Sequence, residues 1–154
     1  MKKHKNGWSQ GEYNLVNPSK YVGNKPPFYR SSWEQRVMYY LDNNINVLKW
    51  GSENVIIPYL FEVDGQVHRY YIDFYAKIKD RNGNIKQYLM EVKPKKQRNQ
   101  PKPPKKKTKK AMQNYKIALH TYIKNQNKWA AAVQFCKKKG LIWKILDEGN
   151  IFNG

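Results

Sequence analysis

The chain has 154 residues, 40% hydrophobic and 14% aromatic, enough for one folded domain and too apolar for a disordered segment. Lysine and arginine outnumber aspartate and glutamate by 30 to 11, a net charge of +19 that points to a polyanionic partner, nucleic acid ahead of a membrane surface. No apolar run approaches the roughly 20 residues of a spanning helix, the start Met1-Lys2-Lys3-His4 leads into no apolar signal core, and one cysteine with three scattered histidines offers neither an internal disulfide nor a zinc cluster.

The charge is uneven. Residues 1–92 carry 13 basic and 9 acidic side chains, whereas residues 93–146 carry 17 basic and none acidic, so the cationic field belongs to the second half.

In chain order, residues 1–28 hold Gly, Pro, Asn and Lys without periodicity and predict an extended arm or irregular loop ahead of a single domain over 29–154. Ser31-Ser32-Trp33-Glu34 has the pattern of a helix-capping box, and Trp33, Val37, Tyr40 and Leu41 recur at helical spacing, predicting a helix that stops at Asn43-Asn44. Glu34 on this reading is a capping carboxylate. Val47–Trp50 and Val55–Val63 read as strands, and Asp64-Gly65 turns the second back into a strand over Val67–Ile78. Pro58 pushes its strand toward an edge or a bulge. Trp50, Tyr59 and Phe61 read as core or platform aromatics.

Asn82-Gly83 then joins Val67–Ile78 to Ile85–Val92 as a hairpin. Tyr71, Asp73 and Tyr75 share one face of the first strand, while Tyr70, Ile72, Phe74, Ala76 and Ile78 form the other and read as core. On the second strand Leu89, Glu91 and Lys93 share a face. A loop of three or five residues centred on Asn82 sets Asp73 opposite Glu91, with Cβ atoms roughly 5 Å apart. Two carboxylates that close are costly unless one is protonated or a cation lies between them. Oxygen ligation of this kind suits Mg²⁺, and Lys93 beside it is suited to offset phosphoryl charge or help activate water. An exposed Glu-x-Lys is also a common cross-strand charge couple, so the spacing alone leaves both readings open.

After Pro94 comes a tract rich in lysine and proline. Lys95–Lys110 holds nine basic residues and three prolines, and Pro101, Pro103 and Pro104 with lysine repulsion keep it an extended, solvated loop over 94–110. Its position next to Lys93 suits a phosphate backbone entering the site, with Lys95, Lys96, Arg98, Lys102, Lys105, Lys106, Lys107, Lys109 and Lys110 as contacts and little sequence readout. A localisation or solubility tract is the plainer alternative. Arg69 is a further candidate contact or simply a strand cation.

Met112, Tyr115, Leu119 and Tyr122 predict the core face of a second helix breaking near Asn125-Gln126-Asn127. Trp129, Ala132, Val133 and Cys136 predict a third, capped by Gly140. Cys136 reads as buried and His120 as a surface residue. Leu141–Leu146 predicts a last strand beside that of Glu91, before an Asp147-Glu148 tail. The layout is α+β: a mixed β-sheet containing a three-stranded antiparallel meander, packed by about three helices.

Ile72-Asp73 followed by Glu91-Val92-Lys93 resembles the Pro-Asp…(Asp/Glu)-x-Lys nuclease superfamily, with Ile72 at the proline position. Asn17-Pro18-Ser19-Lys20-Tyr21, Tyr29-Arg30-Ser31-Ser32-Trp33-Glu34, Lys49-Trp50-Gly51-Ser52-Glu53, Ile57-Pro58-Tyr59 and His68-Arg69-Tyr70-Tyr71 are similar, in order and nature, to the small head-completion nucleases of tailed bacteriophages. A more distant similarity is to the TnsA type of transposon-end endonuclease. The resemblance implies a restriction-endonuclease-like core and a metal-dependent DNA endonuclease. Asp73, Glu91 and the Val92 carbonyl would hold Mg²⁺, with Mn²⁺ as a substitute; Lys93 would assist the water, and Glu34 would complete the acidic pocket. It implies DNA and phage capsid or portal components as partners, with no membrane and no nucleotide cofactor. The place of action would be the host cytoplasm during assembly, with virion association as a further expectation. The Gln-x-x-x-Tyr element of some relatives is absent, since Ile117 follows Gln113.

Two other readings stand beside it. Gly11-Glu12-Tyr13 and Tyr21-Val22-Gly23, with Arg30 downstream, loosely resemble the paired tripeptides of GIY-YIG nucleases, although Asn17-Pro18 interrupts the spacer. A non-catalytic basic DNA-binding or virion structural protein would need the lysines but not the acids around Lys93.

Overall fold

The computed structural model describes residues 2–3 and 9–151. Three short strands, β1 (Lys2–Lys3), β2 (Ser9–Glu12) and β3 (Phe28–Tyr29), pair antiparallel in that order. Between β2 and β3 the chain is irregular, as its Gly and Pro content predicts, yet it is fastened to the following helix. The carboxylate of Asp42, fully buried, accepts from the Tyr13 hydroxyl and from the backbone N–H groups of Val16 and Asn17 at 2.8–3.0 Å. Lys20 Nζ donates to the carbonyl oxygens of Asp42 and Asn44 at 2.8 and 2.9 Å, satisfying the end of that helix.

The helix α1 (Ser32–Asn43) starts at the predicted box: Ser31 Oγ accepts from the Glu34 N–H, and Glu34 Oε1 accepts from the Arg30 N–H. It buries Val37, Met38 and Leu41. Next come β4 (Val47–Ser52), β5 (Ile56–Phe61), β6 (Gln66–Tyr71), β7 (Phe74–Lys79) and β8 (Ile85–Val92). After the basic loop follow α2 (Lys109–Lys139), β9 (Ile142–Leu146) and the short α3 (Glu148–Ile151).

The main sheet has the order β4-β7-β8-β9, with β9 parallel to β8 and the other pairs antiparallel; β5 and β6 form a separate two-stranded sheet. The strand predicted over Val67–Ile78 therefore divides at Ile72-Asp73, and its two halves feed different ladders. The three-stranded antiparallel part is β4-β7-β8 rather than a run of consecutive strands. The division shows in the burial. Tyr70 and Ile72 pack with Trp129 under α2, whereas Phe74 and Ala76, of the same parity, pack with Met38 and Leu41 under α1. A twist at Asp73 turns the strand over.

Both faces of the sheet are covered, Met90 facing α1 and Leu89 facing α2. Gly51 on β4 sits where a Cβ would lie 2.5 Å from the Val22 carbonyl oxygen, so glycine alone permits that approach.

The two helices expected after the loop are one helix of 31 residues. Asn125-Gln126-Asn127 does not end it, because an interior asparagine costs only about 0.7 kcal/mol against alanine and Asn127 accepts from the Glu62 N–H and donates to its carboxylate. Its core face is Trp129, Ala132 and Cys136, while Val133 points outward at 36% exposure. The stripe Met112, Tyr115, Leu119 and Tyr122 is not core; none of the four joins either buried cluster, and Met112 is exposed. Thr108 caps α2 by accepting from the Ala111 N–H, so Lys109 and Lys110 lie in its first turn and not in the loop.

Candidate active site

The site forms where β7 and β8 part. Phe74 pairs with Met90 as the last antiparallel partners; beyond them the chain before Phe74 bends away toward β6, while Glu91 and Val92 pair with Ile145 and Leu146 of β9. The loop over 80–84 has five residues centred on Asn82, held by the Asp80 carboxylate accepting from the N–H groups of Asn82 and Asn84. That count sets the predicted register and brings Asp73 beside Glu91.

Asp73 Oδ2 accepts from the Val92 N–H at 2.9 Å. Burial, then the charges of Glu91 and Glu34, push its carboxyl well above the ordinary aspartate range, opposed by the Val92 bond and Lys93. Glu91 is buried, and its carboxyl is also raised, mainly by burial, with Lys93, Trp129, Tyr70 and Lys128 pulling the other way. Glu34 feels burial first and then the charge of Glu53, partly countered by the Arg30 N–H, and is raised too. Asp73, Glu91, Lys93 and Glu34 thus share one electrostatic neighbourhood, and Glu34 serves at the same time as the cap of α1.

Four further residues reach this neighbourhood that the sequence reading had assigned to core or had not singled out. Trp129 Nε1–H donates to Glu91 Oε2 from α2. Tyr70 is buried beside Glu91 and Asp73, whose charges add to burial in holding it as the neutral phenol; its hydroxyl closes no hydrogen bond of ordinary geometry. Lys128 is half-buried, its Nζ 5.2 Å from the Tyr70 ring centre and 5.9 Å from that of Tyr59; burial pulls its pKa down while Glu91 pulls it up. Glu53 adopts a left-handed backbone (φ 51°), donates its N–H to the Asp73 carbonyl oxygen at 3.1 Å and pairs with Arg30 at 3.4 Å. No spacing in the sequence announces the α2 pair, because a helix broken at Asn125–Asn127 carries Lys128 and Trp129 elsewhere. Glu53 ends the Lys49–Glu53 segment that carries part of the family resemblance.

The candidate nucleic-acid contacts divide. Arg69 is exposed on β6 opposite Pro58. A 3-10 turn over Lys95–Arg98 is tied to the end of β9: the Lys95 N–H donates to Glu148, and Arg98 pairs with Asp147 at 3.4 Å. Asp147 and Glu148 are therefore anchor points for the loop rather than a free tail. Lys96, Lys102, Lys105, Lys106, Lys107, Lys109 and Lys110 are exposed.

Among the described residues no three His, Cys, Asp or Glu side chains converge as a metal cage. What the strands offer is two raised carboxylates whose repulsion a cation would relieve, with the Val92 carbonyl directly after Glu91 in sequence. That donor set fits Mg²⁺, which takes one or two carboxylates and fills its remaining positions with water and substrate oxygens.

A sheet whose parting strands present Asp and Glu-x-Lys beside an acidic helix start has the plan of a restriction-endonuclease-like nuclease core. The chain belongs to the TnsA-like endonuclease family, whose N-terminal domain model matches residues 44–148. That span includes Asp73, Glu91 and Lys93 and leaves out Glu34. The chain is also similar to the Head completion nuclease of Enterobacteria phage T4, with 34% identity over 142 residues covering 92% of each chain.

Proposed function

We propose that this chain is a metal-dependent DNA endonuclease that acts in phage head completion, processing the ends of packaged DNA. The observation that carries the catalytic part is the half-buried Asp73 beside the buried Glu91, next to Lys93 at the mouth of the sheet. Asp73, Glu91 and the Val92 carbonyl would hold Mg²⁺, or Mn²⁺ in its place, and such an ion would supply Lewis-acid chemistry to the scissile phosphate and its attacking water. Lys93 faces the charge that develops on the phosphoryl oxygens, and Glu34 orients the water. Water adds its oxygen to phosphorus as one bridging P–O bond breaks, leaving a phosphate monoester and a free hydroxyl.

The exposed lysines of the 94–110 loop supply affinity without sequence preference. Similarity to a phage protein named for head completion supports DNA and capsid or portal components as partners, with action in the host cytoplasm during assembly and association with the virion. No described helix is long and apolar enough to cross a membrane. A DNA-coating protein would gain nothing from buried acids beside its binding lysines.

The test is incubation of linear duplex DNA with the protein at low salt in Mg²⁺, in Mn²⁺ and in chelator. Cutting in either metal and none in chelator is expected. Tight binding without cutting in any metal would favour the non-catalytic DNA-binding reading.

A further inference from the structure

The helix α2 carries cations on the side that faces the β5–β6 hairpin. Lys124 Nζ lies 5.2 Å from the centre of the Phe61 ring, and Lys128 Nζ, four residues on, lies over Tyr70 and Tyr59. The next residue, Trp129, is bonded to Glu91. Neither lysine takes part in any ion pair among the described residues. Their positive ends lie over aromatic rings, and Lys128 also faces the charge of Glu91.

Spacing and position give that charge a use. Four residues of helix rise about 6 Å, a step comparable with that between consecutive phosphates of a strand. The row ends on the acidic pair, so an anion seated at Lys128 is adjacent to Asp73 and Glu91. An acidic pair repels the polyanion it must cut, and a cation fixed at its border offsets that repulsion.

We propose that Lys124 and Lys128 form a phosphate-binding row that lays one strand of nucleic acid across the Asp73–Glu91 pair, a contact separate from the 94–110 loop. The proposal rests on the nuclease reading for its purpose, but the row is testable without cutting. Each phosphate that one of these lysines neutralises releases condensed counterions from the strand, and lysines already held over rings lose little freedom when they do so.

The experiment measures binding of a short fluorescein-labelled DNA strand in chelator across a salt series, for the unmodified protein, Lys128→Met, Lys128→Arg, Lys124→Met with Lys128→Met, and Lys86→Met. Methionine keeps the stem on the rings and removes the charge. Lys86 lies near the Asn82–Gly83 turn, at the far end of the hairpin from Asp73, and pairs with Asp80 at 3.5 Å. The slope of log affinity against log salt should fall by about 0.7 with Lys128→Met and about 1.4 with the double variant, and stay at the starting value with Lys128→Arg and Lys86→Met. Lys128→Met should also lower single-turnover cleavage more than affinity. Starting slopes in the methionine variants would overturn the row, even with an active nuclease. A lowered slope in a protein that never cuts would uphold the row and overturn the nuclease reading.

Discussion

Asp73 Oδ2 accepts the backbone N–H of Val92 at 2.9 Å, joining the bend between β6 and β7 to the strand that carries Glu91. One oxygen of Asp73 is thereby fixed toward β8. Its carboxyl is nevertheless raised, so in the metal-free protein burial and the neighbouring acids outweigh this bond.

A stability prediction follows from that sign. The unfolded carboxyl titrates near 3.9, the folded one higher, so the native state binds the proton more tightly. The metal-free protein then loses stability as pH rises from about 4 through the raised value, and the penalty persists at neutral pH. Asp73→Asn removes it. In chelator at pH 7 the variant should melt no lower than the unmodified protein, whereas Mg²⁺ or Mn²⁺ should raise the melting temperature of the unmodified protein only. A metal-induced rise in the variant would count against Asp73 as a ligand.

Trp129→Phe keeps the ring in the core and deletes the donor to Glu91. A buried acceptor left without its partner costs about 1–3 kcal/mol. Chemical denaturation should show that loss, and single-turnover cleavage should drop about tenfold or more as Glu91 loses its fixed rotamer. Unchanged cleavage would separate Trp129 from the site.

Asp42→Ala strands the Tyr13 hydroxyl and the N–H groups of Val16 and Asn17. The expected cost is roughly 3–5 kcal/mol, read as a melting temperature lower by about 10 °C, with the segment from Ser9 to Tyr21 newly open to limited proteolysis. Tyr13→Phe removes one bond only and should cost about 1 kcal/mol.

Replacing Lys105, Lys106 and Lys107 together by glutamine removes three exposed charges from the loop. Stability should stay within about 0.5 kcal/mol, while affinity for any DNA sequence falls and the salt slope drops by about three. Filter retention over a salt series checks this.

Much of this arrangement was legible in the sequence because short-range rules governed it. Asn82-Gly83 centred the loop on Asn82, and either three or five residues there give the register that faces Asp73 with Glu91, while Ser31 with Glu34 marked the start of α1. The misses arose where tertiary contacts overrode local signals. Asn127 looks like a helix breaker until Glu62 pairs with it. Tyr70 and Phe74 share a parity and yet face opposite cores, since the strand twists over at Asp73. Lys128 and Trp129 reach Glu91 only because α2 runs unbroken. Arg98 looked free for phosphate because nothing local shows that Asp147 returns beside it.

The measurement that bears most directly on the Asp73–Glu91 centre is single-turnover cleavage of one linear duplex in Mg²⁺ by the unmodified protein, Glu91→Gln and Tyr13→Phe, with DNA retention measured in parallel. Cleavage by the unmodified protein and Tyr13→Phe, and its loss by at least about 100-fold in Glu91→Gln with retention intact, is the expected result. Cutting that survives Glu91→Gln and disappears in Tyr13→Phe would move the chemistry to the amino-terminal segment and contradict the site described above.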